Sequence, residues 1–339
     1  MFGAKFYPSC KVCEAIRLDL DRVKGNPSGV EEMMYVYRYH MRKMHGVHIS
    51  DEDSGLSGIP MVGYRRARFI AELGVTNIRE VAAIDPAKFC ERPEVKASSD
   101  TSLPSALSLV VNYAQAICTK RPIVTGTHPA FCESPERLYF MDLEYDPQGT
   151  ASRRRVGIFL YGILDSHGNV IQRFLDDPSD EEELIEWFSD WLVKEAPALA
   201  TYSSKSADEP HLRNSLRKFE LSTDCLSKAR FLDLFYDVIF TQSPKTQKIF
   251  LPISGSISSK RVAYYFGYRE AKSVRIHDGL EALAAYEEYL RNRSKRIRND
   301  LLAYNRCDLE RTSLIYSRLR QLFDKHRKKE TPPMHGRRR

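Results

Sequence analysis

Residues 137–146 read RLYFMDLEYD. The apolar run predicts a strand over 137–145. Side chains alternate across a strand, so residues two apart share a face. Asp142 and Glu144 therefore point the same way, beside Leu138 and Phe140. Two carboxylates held together repel unless positive charge lies between them. A divalent cation is one resolution, because hard oxygen ligands suit Mg²⁺ and Mn²⁺. Two solvated acids at a strand end is the other, and the rest of the chain has to choose.

Downstream, RVGIFLYGIL (155–164) and NVIQRFL (169–175) read as strands joined by the turn DSHG, which makes the first three strands an antiparallel meander. A helix is predicted over 180–194, with Leu184, Trp187, Phe188, Trp191 and Leu192 at helical spacing and Ser179 and Asp180 as its cap. ALATYSS (198–204) reads as a short strand, and ADEPHLRNSLRKF opens a helix carrying Asp208 near its start. RFLDLFYDVIF reads as a strand end running into a helix, and 258–321 as largely helical. In the helical stretch around LLAYNRCDLE, Tyr304 and Asp308 stand four apart and share a face. Three antiparallel strands, a helix, a short strand and then helices is the element order of a ribonuclease H-like α/β fold, a mixed sheet flanked by helices.

At this point the residues resemble a known pattern. DxE on the first strand, Asp after the fourth and Y-x-x-x-D on a late helix are similar to the DEDDy 3′–5′ exonucleases. The chain looks closest to the ribonuclease H-like domain that follows RecB-type and helix-hairpin-helix modules in predicted nucleases, where a typical segment reads TYNGKSFDxPxL. Here the segment is TYSSKSADEPHL (201–212), and FLDLF, SSKRVAYYFGY, HDGLEALAAYEEYL and LLAYNRCDLE also resemble that family, over about 136–322. The resemblance implies two Mg²⁺ or Mn²⁺ ions. Asp142 would bridge both, Glu144 and Asp308 would hold the first, Asp208 would help place the second, and Tyr304 would orient the attacking water. Lys205 would lie on the nucleic-acid path. Ser203 and Ala207 stand where the family has Asn and Phe, but all four acids and the tyrosine are present, which favours a live enzyme. Asp233, Asp237 and Asp278 read as structural or surface residues, with a lesser metal role open for Asp233. A non-catalytic adaptor on the same fold and a structure-specific endonuclease remain open.

Upstream, GLSGIPMVGYRRARFIAELG resembles a helix-hairpin-helix, with Gly63 before a helix whose free N–H groups could meet a phosphate. Tyr64, Arg65, Arg66 and Arg68 complete that candidate nucleic-acid contact, and a scaffold hairpin is the competing reading. Cys10-x2-Cys13 and His40-x4-His45 offer two thiolates and two imidazoles, a tetrahedral set for one structural Zn²⁺. His48 is a possible substitute ligand, and reduced cysteines with surface histidines the alternative.

Composition bounds these readings. The 339 residues carry a formal charge of +7, of which +6 lies between Lys325 and Arg339, so the body is nearly balanced. Seven scattered cysteines point to a reducing compartment, and no stretch approaches the roughly 20 apolar residues of a membrane span. The start lacks a signal-peptide layout. The expected organisation is a zinc-finger-like segment (1–50), a helix-hairpin-helix module (51–95), a linker and connecting helix (96–135), the exonuclease domain (136–322) and a basic, disordered tail (323–339). The expected partner is nucleic acid, DNA ahead of RNA, in the cytoplasm, with protein partners open.

Overall fold

The computed structural model describes residues 10, 13–15, 17, 18, 56, 58–98, 100–126, 131, 137–150, 155–240, 246, 248–271 and 273–330. The chain divides into two compact units, Met1–Ile123 with Phe250–Ile257, and Val124–Ile249 with Ser258–Arg339.

In the first unit four short helices, α1 (Tyr64–Glu72), α2 (Ile78–Ala82), α3 (Pro86–Cys90) and α4 (Pro93–Lys96), precede α5 (Leu103–Thr119). The α2 and α3 helices begin on side-chain caps, Asn77 accepting from the Glu80 N–H and Asp85 from those of Ala87 and Lys88. Each such cap satisfies donors the helix itself leaves open. The α5 helix spans the residues expected of it and buries Leu103, Leu107, Val110 and Ala114. The segment 250–257, expected within the exonuclease domain, belongs to this unit instead. Phe250 meets Tyr113 edge to face at 5.0 Å, and Leu251, Ile253 and Ile257 are buried.

In the second unit a five-stranded mixed sheet runs β4-β3-β2-β5-β6. Its strands are β2 (Leu138–Tyr145), β3 (Ile158–Asp165), β4 (Val170–Phe174), β5 (Ala198–Thr201) and β6 (Arg230–Asp233); β1 (Ile123–Thr125) pairs separately with β7 (Lys248–Phe250). β2 is antiparallel to β3 and β3 to β4, whereas β5 is parallel to both β2 and β6. The expected meander is therefore present. The Asp165–Gly168 turn closes it, with Gly168 at φ +90 and the Asp165 carboxylate accepting the His167 and Asn169 N–H groups.

Period-two alternation sorts the two faces of the sheet. Met141, Leu143, Tyr161 and Ile163 face a core closed by α6 (Glu181–Glu195) and α7 (Asp208–Lys218) through Ile185, Phe188, Leu212 and Leu216. The opposite face meets α9 (Gly279–Asn292) and α10 (Lys295–Glu330) through Tyr286, Tyr289, Leu301 and Tyr304. Between Glu144 and Tyr145 the register skips from Leu160 to Ile158, leaving Phe159 as the extra residue of a bulge. The bulge flips parity, so Phe159 stacks on Tyr286 at 4.2 Å while Ile158 joins the other core.

Two local expectations are corrected. Asp180 stands at the N-cap position of α6 but makes no side-chain capping bond. A 3-10 turn over Pro178–Asp180 precedes it, and Asp177 caps that turn by accepting the Ser179 N–H at 3.0 Å. After β6 the chain enters a π-helical turn, Leu234–Ile239, before β7, and then α8 (Ser259–Tyr265). The α10 helix runs through Glu330, so the basic stretch from Lys325 begins on helix rather than in an irregular tail. Residues 331–339 lie outside the described residues. No helix among the described residues is long and apolar enough to cross a membrane.

Candidate metal centre

Asp142 and Glu144 occupy the even-numbered face of β2, and α10 crosses that face, bringing Asp308 down onto them. One carboxylate oxygen from each of Asp142, Glu144 and Asp308 lies within 4.8 Å of the others. Glu144 is 5% exposed, and Asp208, at the first turn of α7, is 7% exposed. Asp208 stands outside the three-residue group, yet its charge is felt by Glu144, and that of Asp142 by Asp208. Tyr304, one turn before Asp308, is buried beside Glu144 and Asp142. The five residues expected to form a site therefore fall in one neighbourhood.

The electrostatics follow from burial. Loss of solvent pushes the Asp142 carboxyl up to about 6, opposed by the Arg311 charge and by a hydrogen bond from Asn305. Glu144 rises well above the usual carboxylate range, first through burial and then through the nearby Asp142 and Asp208. Asp208 rises well above that range for the same reasons, burial first and then Asp142 and Asp233. Burial and the same acids push the Tyr304 phenol up, so at neutral pH it is a hydroxyl donor rather than a base. Arg311, 3% exposed, is the buried cation of the neighbourhood, ion-paired to Asp308 and 3.5 Å from Glu270. One guanidinium among Asp142, Glu144 and Asp308 leaves an excess of negative charge among oxygen donors. That donor set fits a hard divalent cation held by Asp142, Glu144 and Asp308.

The loop that delivers Asp208 is pinned by Asp233, which is fully buried at the end of β6. Its carboxylate accepts the N–H groups of Ser203 (3.0 Å), Lys205 (2.9 Å), Phe235 (2.9 Å) and Tyr236 (3.1 Å). A carboxylate so fully engaged is a strut, which gives Asp233 the structural role. Ser203 sits at φ +62. Serine is costly there, and asparagine is among the residues that tolerate this region best. Ser203→Asn is therefore expected to raise stability by about 0.5–1 kcal/mol. Chemical denaturation measures it as a higher midpoint at unchanged slope; a lower midpoint would show that the serine side chain has a use there.

The remaining candidates are dispersed. The Cys10 sulphur accepts the Cys13 N–H at 3.5 Å, but His40, His45 and His48 lie outside the described residues. A Cβ at Gly63 would meet nothing within 4 Å, and its φ of −69 suits any residue, so nothing internal requires glycine there. Arg66 is held by Asp100 (2.6 Å), Ser102 (2.6 Å) and the Met61 carbonyl (3.1 Å). Arg68 pairs with Glu72 along α1 at 2.8 Å. The side chains of Tyr64 and Arg65 lie outside the described residues. Lys205 is ion-paired with Asp237, and Asp278 caps α9 by accepting the Glu281 N–H at 2.9 Å.

Asn305 and Arg311 escaped the sequence reading although both lie in or beside a quoted motif. Their signal is a polar stripe on α10, Tyr304, Asn305, Asp308, Arg311 and Thr312, at helical spacing among the buried Leu301, Leu309 and Ile315.

The comparisons with known proteins bear on the second unit. No curated protein matches the chain. Among solved structures, the family B DNA polymerase from the hyperthermophilic archaeon Pyrobaculum calidifontis is similar at 17% identity and a TM-score of 0.39, over 55% of this chain and 25% of that one. The present chain thus spans about a quarter of the polymerase's length. A family model described as RNase H superfamily matches residues 139–320, which run from β2 into α10, take in all five site residues and make up more than half of the sequence. The mixed sheet, the acids on β2 and the closing helix carry the same conclusion: the chain belongs to the RNase H superfamily.

Proposed function

We propose that the protein hydrolyses phosphodiester bonds as a divalent-metal-dependent 3′–5′ exonuclease of DEDDy type, acting on DNA ahead of RNA. The observation that carries this reading is the convergence of Asp142, Glu144 and Asp308 within 4.8 Å of one another, Glu144 buried and the other two half-buried. Asp142, Glu144 and Asp308 would hold one Mg²⁺ or Mn²⁺, with Asp142 and Asp208 toward a second. Bound there, such ions supply charge stabilisation at the attacking and leaving oxygens of the displacement. Tyr304 keeps its proton and orients water by its hydroxyl. Strand β2 carries Asp142 and Glu144 and helix α10 carries Asp308 against them. Strand contacts would come from Lys205 beside the site and from the helix-hairpin-helix formed by Gly63, Tyr64, Arg65, Arg66 and Arg68, whose backbone donors suit phosphate without reading sequence. A structural Zn²⁺ on Cys10, Cys13, His40 and His45 is supported by the N–H donor on the Cys10 sulphur, which favours a thiolate.

One observation favours a second reading, a non-catalytic adaptor. Arg311 already gives Asp308 a cation, as an inactive descendant of a metal site would. The two separate in a Mn²⁺ assay on single strands labelled at the 3′ or the 5′ end, with wild type beside Asp308→Asn. An exonuclease releases the 3′ label first, and the variant loses at least about 100-fold in rate, since metal charge stabilisation is worth several kcal/mol. Folded wild type and variant that are equally inert would leave the adaptor. Cleavage of a circular substrate would instead indicate an endonuclease.

A further inference from the structure

Asp142 does not stand alone on its face of the sheet. In register, Asp142 on β2 lies opposite Gly162 on β3, and Gly162 lies opposite Gln172 on β4. The three positions form a row across the strands, and the middle one carries no side chain. Asn305 of α10, fully buried, fills that place. A Cβ built on Gly162 would fall 2.1 Å from Asn305 Oδ1 and 2.8 Å from its Cγ. Gly162 has no left-handed backbone to require glycine, so the close approach of Asn305 is what the position serves.

The polarity of the Asn305 amide is fixed from both ends. Gln172 Nε2 donates to the Leu302 carbonyl at 2.8 Å, an atom that can only accept, and to Asn305 Oδ1 at 2.9 Å. The oxygen of Asn305 therefore faces Gln172. Its Nδ2 then faces β2, donating to Asp142 Oδ2 at 2.8 Å and to the Asp142 carbonyl at 3.3 Å. The result is a directed chain, Leu302 to Gln172 to Asn305 to Asp142, that engages one oxygen of the Asp142 carboxylate.

We infer that Asn305 is a positioning residue for Asp142. Gln172 fixes its amide orientation, Gly162 admits it, and it locks one carboxylate oxygen so that the other is presented to Glu144 and Asp308. The inference rests on the metal-site reading above and adds to it the residues that set the bridging ligand's rotamer. Buried donors behind a ligating carboxylate commonly carry a tenfold to hundredfold share of metal affinity.

The test is Mn²⁺ binding to the full chain by calorimetric titration, with circular dichroism confirming the fold of each variant. Asn305→Ala is expected to weaken binding about tenfold or more. Gln172→Leu, which touches no acid of the site, is expected to weaken it several-fold by freeing the Asn305 amide to turn. Gly162→Ala should match Asn305→Ala, because its methyl displaces the same side chain. In the double variant the Asn305 side chain is gone and the methyl has room, so binding should be no weaker than in Asn305→Ala alone, a non-additivity that a merely structural glycine would not give. Wild-type affinity in a folded Asn305→Ala, or losses that multiply in the double variant, overturn the inference and leave the metal reading intact. A wild type that binds no Mn²⁺ overturns the metal reading, and the inference with it.

Discussion

Asp142→Asn is expected to make the metal-free protein more stable while abolishing its activity. The physical reason is that loss of solvent holds Asp142, Glu144 and Asp208 above the usual carboxylate range, with neighbouring acids adding to it at Glu144 and Asp208. An amide at 142 keeps the shape, can still accept from Asn305 Nδ2 through its oxygen, and turns its own N–H groups toward the neighbouring acids. A buried charge that loss of solvent disfavours is removed, and a neutral hydrogen-bonding group stands in its place. The gain is on the order of 1–2 kcal/mol, the scale of one buried polar partner satisfied. The same exchange removes the carboxylate shared by the proposed metal positions, and a loss of about 1,000-fold or more in rate follows from several kcal/mol of lost charge stabilisation. Calorimetry in EDTA and a strand-cleavage assay on one preparation measure both. A variant that melts lower than wild type in EDTA would mean that Asp142 contributes to the fold, and the site would not be a strained ligand set.

The stability of the metal-free protein should also fall as pH rises, against the usual trend for carboxylates. Unfolded aspartate titrates near 4, whereas Asp142 in the folded chain is pushed up to about 6. Between these values the folded state holds a proton that the unfolded state has released. Stability then has a negative slope with pH, approaching about 1.4 kcal/mol per unit for each such proton. The contribution is complete below pH 4 and is lost as pH rises through 6, and Glu144 and Asp208, whose carboxyls are also raised by burial, add to the decline. Mn²⁺ needs the ionised acids and releases their protons on binding, so its stabilisation is small at pH 5 and grows toward pH 7.5. Melting temperatures from pH 5 to 7.5, with EDTA or Mn²⁺, should diverge by several degrees at the upper end. Asp142→Asn should flatten the EDTA curve. Parallel curves for wild type and variant would assign the slope to groups elsewhere.

The proposed second reading turns on Arg311, whose side chain is more buried than those of Glu270 and Asp308 with which it pairs. Its pairing with Asp308 lowers the repulsion that would otherwise accumulate around β2, and it leaves Asp142 and Glu144 under-compensated. The metal and pH measurements above therefore bear on the adaptor reading as well as on the enzyme. An adaptor would keep the falling EDTA curve and show no divergence with Mn²⁺.

What the sequence determined by itself is what local physics controls. Alternating apolar residues fixed which of Asp142 and its neighbours share a face, because the period of two leaves no other arrangement. The α5 and α7 helices, the DSHG turn and the pairing of Tyr304 with Asp308 were legible for the same reason. Asp180 stands at the α6 N-cap position as the sequence reads, but the side-chain capping bond is made one turn earlier by Asp177, because a 3-10 turn precedes the helix and a local pattern does not distinguish two successive caps. The assignment of 250–257 to the first unit is a matter of which distant surface those apolar residues cover. In the sequence Asn305 is simply the residue after Tyr304, and Gly162 a glycine within an apolar run. Only the crossing of α10 over β3 set them against each other, 143 positions apart in sequence, and made a missing side chain on one strand the seat of an amide that aims a carboxylate on the next. Ligands on one strand can be read from spacing. What holds them in place comes from elements that meet only when the sheet and its helices pack.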